Sequence, residues 1–173
     1  MSSLASPEQG WWKPFPRHEK AWLTIIIIAA VVLSAITLGW AVMGKQNVPV
    51  ASYKATPEQF EKQVADFTAK YQIPGSPGEV RVPEGQDGFM MASMWSFTPA
   101  LHLKSGKPYT IWLSAKDVLH GFSITGQNLN ITAAPGHAYG IRITPDKPGT
   151  YLIVCNEYCG LGHQGMTGKI IVE

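Results

Sequence analysis

The hydrophobic pattern changes character along the chain. From Ala21 to Met43, AWLTIIIIAAVVLSAITLGWAVM carries no charge and no amphipathic period. At about 1.5 Å per residue this run makes about 34 Å of helix, enough for a hydrocarbon core of about 30 Å. It predicts a transmembrane helix over 21–43, with Trp22 and Trp40 near its ends, where indole rings favour the membrane interface. A cleaved signal peptide is the rival reading. Its apolar part is usually only about 7 to 15 residues long behind a short basic leader, whereas here the long segment 1–20 precedes a long run.

The next segment has helical spacing. Phe60, Val64, Phe67 and Tyr71 form one apolar stripe, Thr56 fits an N-cap, Pro57 the first helical position, and Gln59 completes a capping box. An amphipathic helix is expected at about 57–72, packing on the domain or on a partner. IPGSPGEVRVPEGQDG follows it, so 44–88 reads as a linker containing one short helix. From Phe89 to Glu173 short β-branched or alternating runs are broken by turn signals: FMMASMWSF, ALHLKSGKPYTIWLSA, HGFSITGQNLNITAAPG, AYGIRITPDKPGTYLIV and GKIIVE. This spacing predicts a mainly β domain, a sandwich or barrel, over 89–173.

Charge adds little except orientation. The net charge is +2 with 15% charged residues, and no basic run tracks phosphates, so nucleic acid is not an expected partner. Lys13, Arg17 and Lys20 precede the span, while Lys45 and Lys54 are the nearest basic residues after it. This small bias puts 1–20 in the cytoplasm and everything from Gly44 onward outside it.

The chemistry is concentrated in YLIVCNEYCGLGHQGMTGKIIVE, where both cysteines of the chain, Cys155 and Cys159, precede His163 and Met166. His120, in KDVLHGFSI, lies at the mouth of a predicted strand. Soft sulfur with imidazole suits copper or zinc, and the lack of a carboxylate cluster argues against calcium or magnesium at this loop. A Cys155–Cys159 disulfide would leave His163 and Met166 unexplained. A zinc site would have no need of the thioether. A mononuclear blue-copper site would leave one cysteine surplus. Two thiolates each bridging two copper ions, with two imidazoles, a thioether and a backbone carbonyl, would use every donor; that arithmetic is consistent with a dinuclear site and alone does not prove one.

CNEYCGLGHQGM resembles the loop of the dinuclear copper centre CuA in subunit II of cytochrome c oxidases. The likeness extends through DVLHGFSI, APGHAYGIRITPDKPGTYLIVCNEYCGLGHQGM and GKIIVE. The short chain, the single span and HEKAWL make it most similar to subunit II of the B-family oxidases. The resemblance implies a cupredoxin-like β-sandwich holding two copper ions. Cys155 and Cys159 would bridge them, His120 and Met166 would complete one ion, and His163 with the Glu157 carbonyl the other. It further implies an electron relay, taking single electrons from cytochrome c or a similar small carrier and passing them to hemes of subunit I, the oxygen-reducing partner. A small accessory transmembrane subunit and a prokaryotic plasma-membrane location belong to the same expectation. No C-x-x-C-H is present for attaching a c-type heme.

Further residues carry weaker expectations. Trp95 and Phe97 lie where similar domains place aromatic side chains near the docking face, and are candidates for electron uptake. Glu157 occupies a position where many oxidases also bind magnesium at the boundary with subunit I, although B-family members often have glutamine there and lack the ion. Glu19, before Lys20 and Trp22, resembles a glutamate at the mouth of a proton channel in the B-family subunits. His102 and His137 read as ordinary polar residues. Met90, Met91 and Met94 read as core or interface side chains rather than copper-capturing groups. The alternatives in function are the CuA subunit of a nitric oxide reductase and a membrane-anchored Sco-type copper chaperone. The latter would need a thioredoxin-like alternation of helices and strands. A nitrous oxide reductase would need a large propeller, and a ligand-free quinol oxidase subunit would not fill every ligand position.

Overall fold

The computed structural model describes Pro14 and residues 16–44 and 49–173. Lys13, Lys45 and most of the segment 1–20 lie outside the described residues. The chain divides into two compact units, Met1–Lys45 and Gln46–Glu173.

The first unit contains helix α1, Arg17–Met43, none of whose residues is buried against protein. Its 27 residues make about 40 Å of helix, and it is the one helix among the described residues long and apolar enough to cross a membrane. Two of its hydroxyls bond within the helix: that of Thr24 donates to the Lys20 carbonyl at 2.8 Å and that of Thr37 to the Leu33 carbonyl at 2.9 Å. Back-bonding of this kind spares those two hydroxyls the cost of meeting lipid unpaired.

The second unit is mainly β. Its elements are β1 Ala51–Lys54, α2 Pro57–Tyr71, β2 Glu79–Arg81, β3 Gly88–Ser93, β4 Ser96–Thr98, β5 Ala100–Leu103, β6 Tyr109–Ala115, β7 His120–Ile124, β8 Asn130–Ala133, β9 His137–Ile143, β10 Gly149–Val154 and β11 Thr167–Val172. The strands form one 11-stranded sheet in the order β1-β9-β6-β3-β4-β11-β10-β7-β8, with β5 on β11 and β2 on β5 off this path. Short β4 joins the two halves, pairing antiparallel with β3 and parallel with β11. Strand alternation then builds the core. In β6, Tyr109, Ile111 and Leu113 point inward and meet Phe122, Ile153 and Ile170 from the other half, all 2% exposed or less.

Within 44–88, expected to be a linker around a helix, residues 51–81 supply integral parts of this unit. β1 pairs with β9 from Ala51↔Gly140 to Lys54↔His137, and β2 pairs with β5. Helix α2 begins in the capping box, with Thr56 accepting from the Gln59 N–H at 3.3 Å and the Gln59 side chain accepting from the Thr56 N–H at 2.9 Å. Its buried Phe60, Val64 and Phe67 cover the outer face of β3. That explains why FMM is apolar at consecutive positions: Met90 faces the inner core at 0% exposure, and Met91 faces α2 at 4%. His137, read as an ordinary polar residue, starts β9 with its side chain exposed. His102 is half-buried at the far end of the β5–β11 pair from Met166, its ring nitrogens 2.9 Å from Glu173 and 3.0 Å from Glu79.

Candidate metal centre

The loop from Cys155 to Met166 spans the end of a hairpin. β10 and β11 pair from Gly149↔Val172 to Val154↔Thr167, and the Cys155 N–H donates to the Met166 carbonyl at 3.2 Å, closing the loop at its base. A single 3₁₀ turn, His163–Gly165, reverses the chain, with the His163 N–H bonded to the Gly160 carbonyl at 3.0 Å and the Met166 N–H to the His163 carbonyl at 3.1 Å. The other contributor arrives on β7, which pairs with β10 at Val154↔Ser123 and so runs His120 alongside the loop.

These elements bring the donors together. The Cys155 and Cys159 sulfurs are 3.7 Å apart. Nδ1 of His120 lies 3.9 Å from the Cys155 sulfur, and the Glu157 carbonyl oxygen 3.2 Å from it. Around Cys159 stand Nδ1 of His163 at 3.6 Å and the Met166 sulfur at 3.5 Å. Both cysteines are 4% exposed, Met166 1% and His120 0%. The sulfurs are free thiols, far from the roughly 2.05 Å of a disulfide. Burial, and then the neighbouring Cys155, push the Cys159 thiol up to about 11. Cys159 therefore stays protonated unless a cation is present to stabilise its thiolate. A soft set of two thiols, two imidazoles and a thioether fits copper; the thioether's place beside Cys159 is what a zinc site would leave idle.

Asp117, which the sequence reading missed, orients the histidine. Its Oδ1 meets Nε2 of His120 at 2.7 Å and the Val118 N–H at 2.7 Å, while its Oδ2 accepts from the Met94 N–H at 2.8 Å. Burial alone would raise its pKa, but these hydrogen bonds outweigh burial and hold the carboxyl below its ordinary value. The ionised carboxylate accepts from Nε2–H, which leaves the lone pair of Nδ1 facing the sulfurs. The i, i+3 spacing in DVLH was the available signal. Gly121 is equally necessary: a Cβ there would lie 1.9 Å from Oδ1 of Asn156, because the cysteine loop crosses directly over it.

The outlying candidates separate. Trp95 is 44% exposed, donates Nε1–H to the Cys159 carbonyl at 3.3 Å, and covers Gly162 so closely that a Cβ would stand 2.3 Å from the ring. Phe97 is 4% exposed and packs edge-on against Phe122 at 5.6 Å, so it is a core residue that a docking partner does not touch. The Glu157 side chain is exposed and accepts from the Thr132 hydroxyl at 3.4 Å. Glu19 lies in the first turn of α1, in the other unit.

A cupredoxin-like β domain with a hairpin-borne Cys–His–Met loop defines a copper protein of the electron-transfer class. The family model described as "Cytochrome C oxidase subunit II, periplasmic domain" matches residues 93–173. Cytochrome c oxidase subunit 2 of Thermus thermophilus is 29% identical over 160 residues, covering 90% of this chain and 92% of that protein. A chain from the cryo-EM structure of a heme-copper terminal oxidase dimer is 32% identical, with 91% of this chain and all of that one covered at a TM-score of 0.59. Rusticyanin from Thiobacillus ferrooxidans shares the fold at 19% identity, covering 73% of this chain and 99% of its own, with a TM-score of 0.52. The chain belongs to the cytochrome c oxidase subunit II family. It is the electron-accepting copper subunit of an oxidoreductase complex, partnered by subunit I; the nitric oxide reductase and chaperone readings have no support.

Asp117→Asn tests the orienting carboxylate. The variant has one oxygen for the two ends of the carboxylate, so its amide NH2 faces either the Met94 N–H or Nε2 of His120, and the domain loses about 1–2 kcal/mol of stability. Nitrogen NMR of His120 should show a single Nε2–H tautomer in the parent and a mixture in the variant. An unmixed tautomer in both would mean that Asp117 does not orient the ring.

Proposed function

We propose that the chain holds two copper ions in this loop, with Cys155 and Cys159 bridging them, His120 and Met166 completing one, and His163 with the Glu157 carbonyl completing the other. The reading is carried by one observation: two buried thiol sulfurs 3.7 Å apart, each with further donors within 4 Å. Copper held there supplies a one-electron redox couple whose charge change is shared between two ions and their sulfur ligands. The protein's part is to keep the donors in one arrangement in both oxidation states. The hairpin, the Asp117–His120 bond and the burial of the sulfurs all serve that end.

Electrons arrive from cytochrome c or a similar small carrier and leave for the hemes of subunit I, where oxygen is reduced. An exposed apolar rim supports a docking role: Trp95, Leu119, Tyr158 and Leu161 are 44%, 53%, 77% and 86% exposed around the loop. Trp95 is the electron-uptake residue, since its indole N–H meets the carbonyl of Cys159. The chain sits in a prokaryotic plasma membrane with its N-terminus in the cytoplasm and the copper domain outside, beside subunit I and a small accessory transmembrane subunit. The exposed Glu157 carboxylate is available to magnesium at the boundary with subunit I, and Glu19 collects protons for a channel in that subunit.

Cys155→Ser and Cys159→Ser should each retain at most one copper per chain while the sandwich still folds on its apolar core. Metal counting on the purified variants checks this, and two retained coppers with an unchanged spectrum would exclude the bridged arrangement. Trp95→Ala should slow reduction by the carrier roughly tenfold, the scale of losing an interface aromatic, while reduction by a small chemical reductant stays near the parent rate. Equal slowing by both reductants would make Trp95 a packing residue. In the assembled complex, Glu19→Gln should leave carrier-to-copper transfer unchanged and slow proton uptake. Time-resolved absorption with a pH dye separates the two stages, and parent-like uptake would return Glu19 to an ordinary surface charge.

A further inference from the structure

Most of the loop's donors are closed off from solvent. Cys155 and Cys159 are each 4% exposed, Met166 1% and His120 0%, and His163 alone among these side chains is half-buried. An ion that comes to rest among them has to be handed in from the rim. There Met94, a soft donor outside the proposed ligand set, sits in the turn between β3 and β4 and is 47% exposed. Its sulfur lies 3.7 Å from where a Cβ would stand on Gly160, the residue that follows Cys159.

The placement is tied to the site. The Met94 N–H donates to Asp117, the same carboxylate that holds Nε2 of His120. Nor does the exposure belong to the methionine run as a whole, because Met90 and Met91 are 0% and 4% exposed in the two cores. A thioether binds Cu(I) well and gives up no proton in doing so, whereas each thiol must lose one as its metal–sulfur bond forms.

We propose that Met94 is a receiving ligand for Cu(I) at the mouth of the Cys155–Cys159 site, from which the ion passes inward by way of His163. The inference rests on the copper reading of the loop. The transfer is a ligand exchange: the bond from the Met94 sulfur to Cu(I) breaks, a bond from a cysteine sulfur forms, the thiol proton leaves to water, and no electron moves. Met94 has no place in the final ligand set.

The test uses the full chain in detergent, metal-free and with its thiols reduced, mixed anaerobically with Cu(I) buffered by a chromophoric chelator such as bicinchoninate. Met94→Leu keeps the side-chain volume at an exposed position and should take up copper roughly tenfold more slowly, the low end of what losing an outer partner of a metal site costs. Its final copper content should match the parent. Met94→His restores a Cu(I) donor and should recover most of the rate. Independently, in protein labelled at the methionine methyl carbons, substoichiometric Ag(I), a redox-inert ion of the same soft preference, should shift the Met94 methyl signal before that of Met166. Equal uptake rates in parent and Met94→Leu, or a Met94 methyl that Ag(I) does not move, would overturn the proposal. A parent chain that takes up no copper would overturn the copper reading itself, a separate outcome.

Discussion

Two sulfur atoms held 3.7 Å apart in a space from which water is excluded set the terms for the rest of this domain. Buried thiols resist ionisation, and a pair resists it doubly, since a second thiolate would face the first. A loose loop would relieve that conflict by swinging one cysteine out to solvent. Here it has little freedom to do so. The β10–β11 ladder continues to the residues on either side of the loop, and the Cys155–Met166 backbone bond adds one more rung. The hairpin thus holds the two sulfurs together, and a cation bound between them would stabilise the thiolate form that burial disfavours.

The surroundings follow from the need to keep that arrangement still. Asp117 fixes His120 and the Met94 turn through separate oxygens of one carboxylate, so ring and rim share a single support. Gly121 and Gly162 are small because other groups occupy the places of their side chains, the cysteine loop over one and the Trp95 ring over the other. Further back, α2 covers the outer face of the sheet half that carries β3, and β1 extends its edge beside β9. A strand buried on both faces is a stiff base for the turn that presents Met94 and Trp95. Burying Phe60, Val64 and Phe67 contributes at most about 1.5–3 kcal/mol each to that cover.

Much of this was legible in the chain itself, for local reasons. The uncharged run of α1, the Thr56–Gln59 capping box and the apolar stripe of α2 are patterns within a few turns of helix, where neighbours in sequence are neighbours in space. Cys155, Cys159, His163 and Met166 stand close together in sequence on one loop, so their soft chemistry could be read as a cluster. The limits appear where contact is distant in sequence. Residues 44–88 read as linker because the partner strands of β1 and β2 lie far along the chain, and short strands show their identity only when paired. Phe97 and Trp95 look alike in sequence, yet Phe97 sits in β4 with its ring in the core, while Trp95 lies in the β3–β4 turn on the surface.

The sequence by itself therefore determined the kind of chemistry, the apolar helix and the β character of the domain, since donor types and hydrophobic periods are properties of the residues and their order. Only the tertiary structure decided which side chains meet. It brought His120 to the cysteines through the β7–β10 pairing, put Asp117 behind it, and laid Trp95 over the loop. Those contacts depend on register between strands remote in sequence, where a shift of one residue would turn every side chain to the opposite face.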